Sequence, residues 1–139
     1  MKRTLRREDG YTLVELLVVL AILGLLATIA TTQVLRYFSS AKVSTAHAQV
    51  ESFSSALDLY KLDMGRYPTS QEGLAALKTK PATADKWNGP YVKNTTSLND
   101  PWGHPYTYVS PGRHGDFDLS SNGPDGATAN GADPPVRSW

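Results

Sequence analysis

The sequence of 139 residues has no cysteine, and none of its nine prolines lies before Pro68. The first absence excludes disulfides and thiolate metal sites while leaving the compartment open. The second removes the residue that most often breaks a helix, so the first half of the chain is free to stay helical. Charge of one sign is lacking as well: the formal net charge is +1, and no basic stripe of the kind that grips nucleic acid occurs after the first few residues, so no nucleic-acid partner is expected. The basic excess is local. Four of the 14 Lys and Arg residues (Lys2, Arg3, Arg6, Arg7) and two of the 13 acidic ones (Glu8, Asp9) fall in the first ten positions. Most of the Gly, Pro, Asn and Asp lies after Arg66, which makes one end apolar and the other rich in loops.

What is present at the apolar end is the run LVELLVVLAILGLLATIA, Leu13 to Ala30, interrupted by Glu15 and Thr28. At about 1.5 Å per residue it crosses most of a hydrocarbon core of roughly 30 Å. The basic cluster before it stays in the cytoplasm, which sends the rest of the chain to the opposite side. An ordinary secretory signal also starts with basic and apolar stretches, but its cleavage site follows the apolar part. Here Gly10 stands before it, so a cut at Gly10–Tyr11 leaves the apolar segment on the mature chain. A plain uncut anchor is the other alternative. Glu15 speaks against it, because an ionisable group in a membrane segment costs on the order of 2.5 kcal/mol or more and usually has a partner or a task.

The residues Gly10-Tyr11-Thr12-Leu13-Val14-Glu15 and the run after them resemble the cleavage and methylation motif of type IV prepilins and pseudopilins. The resemblance implies that a prepilin peptidase removes residues 1–10 as a leader and methylates Tyr11. It also implies that Glu15 pairs with the amino terminus of a neighbouring subunit during assembly. Tyr11 stands where the family usually has Phe, and Glu8 and Asp9 immediately precede the glycine.

Beyond the apolar run, Val43, Ala46, Val50, Phe53, Leu57 and Tyr60 recur at alternating spacings of three and four, one face of a helix. Residues 12 to about 62 are therefore expected to form a single helix, roughly 75 Å long. Its first half is apolar all round and its second half amphipathic. Thr32 occupies the position where the family commonly has a kinking Pro, so that kink is not expected here. Thr69-Ser70-Gln71-Glu72 has the form of a capping box before Leu74, Ala75 and Leu77, which predicts a second, short helix. Turns rich in Pro and Gly then bound two expected strands, Tyr106-Thr107-Tyr108-Val109 and Phe117-Asp118-Leu119-Ser120. The fold class is α+β: a long amino-terminal helix covered in its second half by a small antiparallel sheet.

Tyr60-Lys61-Leu62-Asp63, Tyr67-Pro68, Gln71-Glu72-Gly73-Leu74 and Asp100-Pro101-Trp102-Gly103 resemble segments of the major pseudopilins of bacterial type II secretion, a branch of the type IV pilin-like superfamily. That implies a type IV pilin-like fold with 1–10 as leader, 11–31 as the transmembrane and assembly half of the helix, and 32–139 as a periplasmic domain. Asp-Pro-Trp-Gly is expected to be scaffold.

Residues 116–133 concentrate Asp, Asn, Ser and Gly, a composition suited to holding Ca²⁺ with hard oxygen ligands. An EF-hand is excluded, since its twelfth position would be Ala129. A solvated polar loop remains the alternative, because Asp-Gly clusters also simply make turns. The loop resembles the calcium loop of major pseudopilins, which implies the side chains of Asp125 and Asp133 as ligands, with the carbonyls of Leu119, Asn122 and Thr128. Asn122-Gly123-Pro124 and the ending Pro134-Pro135-Val136-Arg137 depart from that pattern. The role implied is structural: a cation held by two carboxylates fixes a loop that has little apolar surface to bury.

No catalytic constellation is legible: His47, His104 and His114 are dispersed, with His47 expected to be exposed on the long helix and the other two beside turns, so an enzyme is not expected. The chain also lacks a phosphate-binding loop, so energy must come from a partner. The resemblance implies a filament built from copies of this subunit in the periplasm, anchored by a single pass in the inner membrane. Its implied partners are the prepilin peptidase, minor pseudopilins, and the inner-membrane assembly platform with its cytoplasmic ATPase. A type IV pilin and a minor pseudopilin are the alternatives; the first often carries paired cysteines near its end, absent here.

Overall fold

A computed structural model describes residues 11–124, 126 and 136–139. The leader with Gly10, together with residues 125 and 127–135, lies outside the described residues. The helix anticipated from the missing prolines is α1, Leu13–Met64, an unbroken 52 residues. Thr12 starts it, its Oγ1 accepting the Glu15 N–H at 3.2 Å and so satisfying one of the free donors of the first turn. Gly65 ends it. There φ is +74°, a left-handed conformation that favours glycine, and the Gly65 N–H closes on the Lys61 carbonyl at 2.7 Å. Threonines inside α1 return their hydroxyls to the helix: Thr28 donates to the Leu25 carbonyl and Thr31 to that of Ala27, both at 2.7 Å.

The chain divides into two compact units, one up to Ser39 and one from Ser40 onward. Among the described residues the first is helix from Leu13 onward, and its large apolar side chains are exposed. An 18-residue window of α1 reaches a mean hydropathy of 2.7 with none of it buried in the chain, so by length and composition α1 qualifies to cross a membrane.

The second unit holds the core. Ala46, Val50, Phe53, Leu57 and Tyr60, from the face read in the sequence, are buried, and Val43 packs at its margin. They meet Leu74, Leu77, Val92, Tyr106, Tyr108, Leu119 and Val136 in one cluster. Phe53 and Tyr106 make an edge-to-face contact at 5.5 Å, as do Tyr60 and Tyr91, adding orientation to burial worth about 1.5–3 kcal/mol for each large side chain. His47 is exposed, as expected.

The capping box forms reciprocally. The Thr69 N–H donates to Glu72 Oε2 at 2.7 Å and the Glu72 N–H to Thr69 Oγ1 at 3.2 Å. The short helix expected after it is a single 3₁₀ turn, Leu74–Leu77, because Gly73 at φ +58° interrupts the α-helical path. Arg66 clamps the same Glu72 carboxylate in a bidentate pair at 2.7 and 2.9 Å, and Thr83 donates to it at 3.1 Å.

Three short strands complete the unit: β1 Thr107–Val109, β2 Asp118–Ser121 and β3 Val136–Arg137. They form an antiparallel sheet in the order β1-β2-β3, with Tyr108 opposite Leu119 and Ser121 opposite Val136. Both expected strands exist, each trimmed at its start. Tyr106 is buried ahead of β1, and Phe117 turns aside to pack edge-to-face on Tyr67 at 5.0 Å. Gly112 is required in the connecting turn, where a Cβ would come within 2.6 Å of the Phe117 carbonyl carbon. β3 was not anticipated; two residues carry no periodicity to read.

The Arg66 guanidinium hydrogen-bonded to Glu72 holds that carboxyl at about 2, well below its ordinary 4.5. A depressed carboxyl stabilises the fold above its unfolded pKa and loses that contribution as pH falls towards the folded one. Glu72→Gln should cost about 2 kcal/mol at pH 7, and its urea-unfolding free energy should decline less than that of the parent between pH 4.5 and 2. Equal declines would show that this pair does not carry the acid sensitivity.

Candidate functional site

At the start of α1, Thr12 is the cap and Glu15 the third helical residue, so the carboxylate stands at the electropositive end of the helix. Tyr11 precedes the helix in non-helical conformation and is 81% exposed. Tyr11, Glu15, Leu16 and Val19 line one shallow groove, entirely from this segment. The structure thus brings together two of the three expected processing and assembly residues, Tyr11 and Glu15. The third, Gly10, lies outside the described residues. Around them Leu13, Val14 and Leu17 are bare apolar surface, in which a carboxylate is tolerated when a cation neutralises it.

The second region is the root of the polar loop, and its organiser is a residue read in the sequence only as scaffold. Asp100 is buried at 5% exposure. Its Oδ1 accepts the N–H groups of Trp102 at 3.1 Å and His104 at 2.8 Å, which folds Asp-Pro-Trp-Gly into a closed turn. Its Oδ2 accepts the Ser121 hydroxyl at 2.6 Å, at the end of β2. Ser121 Oγ in turn accepts the Gly123 N–H at 3.1 Å. His104 Nδ1 lies 3.1 Å from the Gly123 carbonyl, and since that oxygen can only accept, Nδ1 carries the proton. One buried carboxylate therefore ties the turn to the first residues of the loop. A contact between residues 21 apart leaves no signal in spacing, so sequence reasoning found the motif and missed its partner.

Of the five expected metal ligands, Leu119 and Asn122 are described and Asp125, Thr128 and Asp133 lie outside the described residues. Leu119 is fully buried in β2, and its carbonyl accepts the Ser138 N–H at 2.9 Å. Asn122 follows β2 directly and is half-buried. The oxygens they offer are neutral backbone donors, the type that calcium accepts alongside carboxylates. Among the described residues no cluster of three or more His, Cys, Asp or Glu could hold a metal. The third histidine lies elsewhere: His114 stacks on Trp139 at 4.3 Å and meets Asp118 Oδ2 at 3.1 Å.

Comparison with known proteins agrees with the fold. Residues 33–139 match the family described as Type II secretion system (T2SS), protein G, and residues 5–31 match the Prokaryotic N-terminal methylation motif. The chain is 44% identical over 125 residues to the type II secretion system core protein G of Pseudomonas aeruginosa, covering 87% of each. It is 39% identical over 138 residues to that of Aeromonas hydrophila, covering 96% of this chain and 94% of the other. The crystal structure of the major pseudopilin from the type 2 secretion system of enterohaemorrhagic Escherichia coli superposes with a TM-score of 0.63 at 32% identity, covering 76% of this chain and 92% of that one.

Removing the Asp100 carboxylate leaves two backbone N–H groups and a buried hydroxyl without their acceptor. Asp100→Ala should lower the unfolding free energy by about 3 kcal/mol, read from tryptophan fluorescence in urea, and Asp100→Asn, which keeps the Oδ1 acceptor, by less. A loss within about 0.5 kcal/mol for Asp100→Ala, the range of ordinary surface substitutions, would reduce it to a turn residue.

Proposed function

Since the chain belongs to the type II secretion protein G family, the major pseudopilins, we propose that it is made as a prepilin, cut after Gly10 and polymerised into a short periplasmic filament that helps export folded proteins. The family is one of structural subunits. The observation that carries the processing step is the match of residues 5–31 to the methylation motif, with the helix starting only at Leu13. Tyr11 is thus left in exposed, non-helical backbone, which suits entry into a peptidase site.

The sequence of events follows from the chemistry of the ends. Residues 11–31 hold the subunit in the inner membrane, with 32–139 in the periplasm. Cleavage creates a new amine at Tyr11, which the peptidase methylates. That cation neutralises Glu15 of a neighbouring subunit, offsetting the cost of a carboxylate among apolar helices and fixing their register. Bare apolar surface on α1 supplies the rest of the drive as copies stack. Minor pseudopilins, the assembly platform and a cytoplasmic ATPase act as partners, the last supplying energy.

Calcium is the proposed ion of the polar loop. Asp125 and Asp133 would bind through their side chains, and Leu119, Asn122 and Thr128 through carbonyls; the cation would neutralise the two carboxylates and order the segment. What supports this is the oxygen-only donor set and the rigid root that Asp100, Ser121 and His104 give the loop.

Co-expression with a prepilin peptidase should yield a product beginning at methylated Tyr11 by intact mass, whereas a product still beginning at Met1 beside a processed control rejects the reading. Glu15→Ala should be cut normally yet fail to form filaments in electron micrographs; normal filaments would remove the pairing. Chelation of calcium should lower the thermal midpoint, with a loss of about 2.7 kcal/mol if the ion had stood at a hundred times its Kd, and an unmoved midpoint would dismiss the ion.

A further inference from the structure

The apolar run ends by composition at Ala30, yet the features of α1 place the edge of the membrane-embedded stretch further out. Between Tyr11 and Leu35 the only charged side chain is Glu15. Thr28 and Thr31 satisfy their hydroxyls on carbonyls of their own helix, so they do not force this stretch into water. Past Ala30, Val34, Leu35, Tyr37 and Phe38 are 49, 63, 76 and 63% exposed, and the compact head begins only at Ser40.

Arg36, Tyr37 and Phe38 are consecutive, and at about 100° per residue they spread round more than half of the helix. A protein partner calls for a stripe at spacings of three and four, whereas a ring suits surroundings that are the same on all sides. Aromatic side chains with a polar tip concentrate at the headgroup level of bilayers, and a guanidinium binds phosphate with paired hydrogen bonds. The opposite end of the stretch also carries an exposed aromatic, Tyr11. From Tyr11 to Tyr37 the helical rise gives about 39 Å. A bilayer measures about 30 Å through its hydrocarbon and 40–45 Å with its headgroups.

We propose that Arg36, Tyr37 and Phe38 form the outer interfacial belt of the membrane-resident subunit and Tyr11 the inner one, so that the embedded stretch reaches Leu35, moving the boundary given above at residue 31 outward by four residues. The inference rests on the anchored-subunit reading above and sets its depth. Glu15 then sits four residues, about 6 Å, inside the inner belt. There its carboxylate stays within reach of headgroups and water until a neighbouring amine replaces them.

The absence of cysteine makes the test direct. Single cysteines are introduced as Ile22→Cys, Ala30→Cys, Val34→Cys or Ala41→Cys in the full chain and spin-labelled. In phosphatidylethanolamine–phosphatidylglycerol vesicles, collision with oxygen is compared with collision with a water-soluble nickel chelate. Labels at 22, 30 and 34 should favour oxygen, and the label at 41 nickel. In a Tyr37→Ser, Phe38→Ser background the label at 34 should become nickel-accessible, a retreat of about one turn, ~5.4 Å. The proposal is overturned if position 34 is as nickel-accessible as 41 in the parent, or if the double substitution leaves the boundary in place. Protection at 34 that vanishes on dilution in lipid would assign that surface to a second copy and overturn it equally. Water access at position 22 would remove the anchored-subunit reading along with it.

Discussion

Past its first turn the backbone of α1 closes its own hydrogen bonds as far as Met64, and this self-sufficiency lets one element serve two surroundings. In hydrocarbon no water is available to satisfy a stray N–H or carbonyl, so a span must be helical or closed. The same ladder in water supports an amphipathic stripe. Thr12 and Gly65 set the helix ends, one at the very start of the apolar run, where the Thr12 hydroxyl takes the Glu15 N–H, and one in the head. Thr28 and Thr31 add no polar demand of their own.

What the helix provides by regularity, the rest of the head obtains from two carboxylates. Glu72 gathers Arg66, the Thr69 N–H and Thr83; Asp100 gathers Trp102, His104 and Ser121. Each takes several donors from segments that make few backbone pairs, which is how a region of turns keeps a defined path without long strands. The two differ in chemistry. Glu72 neutralises a guanidinium, whereas the donors to Asp100 are neutral N–H and O–H groups.

Legibility in the sequence followed the range of the signal. The helix, its buried face and the capping box could be read because their partners lie three or four residues apart, and α1, Phe53, Leu57, Tyr60 and the Thr69–Glu72 exchange all appear as expected. The short helix was legible but not its 3₁₀ form, because one Gly73 dihedral decides between an α and a 3₁₀ turn. Asp100–Ser121 and His104–Gly123 were invisible, since their pairing depends on how β2 is brought alongside the turn. The processing motif was the reverse case: a short, local and specific pattern, legible before any fold is known. The carboxylates of the polar loop remain a reading of composition and resemblance.

β3 is only two residues long, but its pairing puts Val136 directly opposite Ser121. Everything between them leaves and re-enters the sheet through adjacent doorposts, so residues 122–135 behave topologically as an insert. Doubling the length of such a closed segment costs only about 0.6 kcal/mol in chain entropy. Lengthening the insert therefore costs the sheet little, and this is where the chain can vary in length while its scaffold stays fixed.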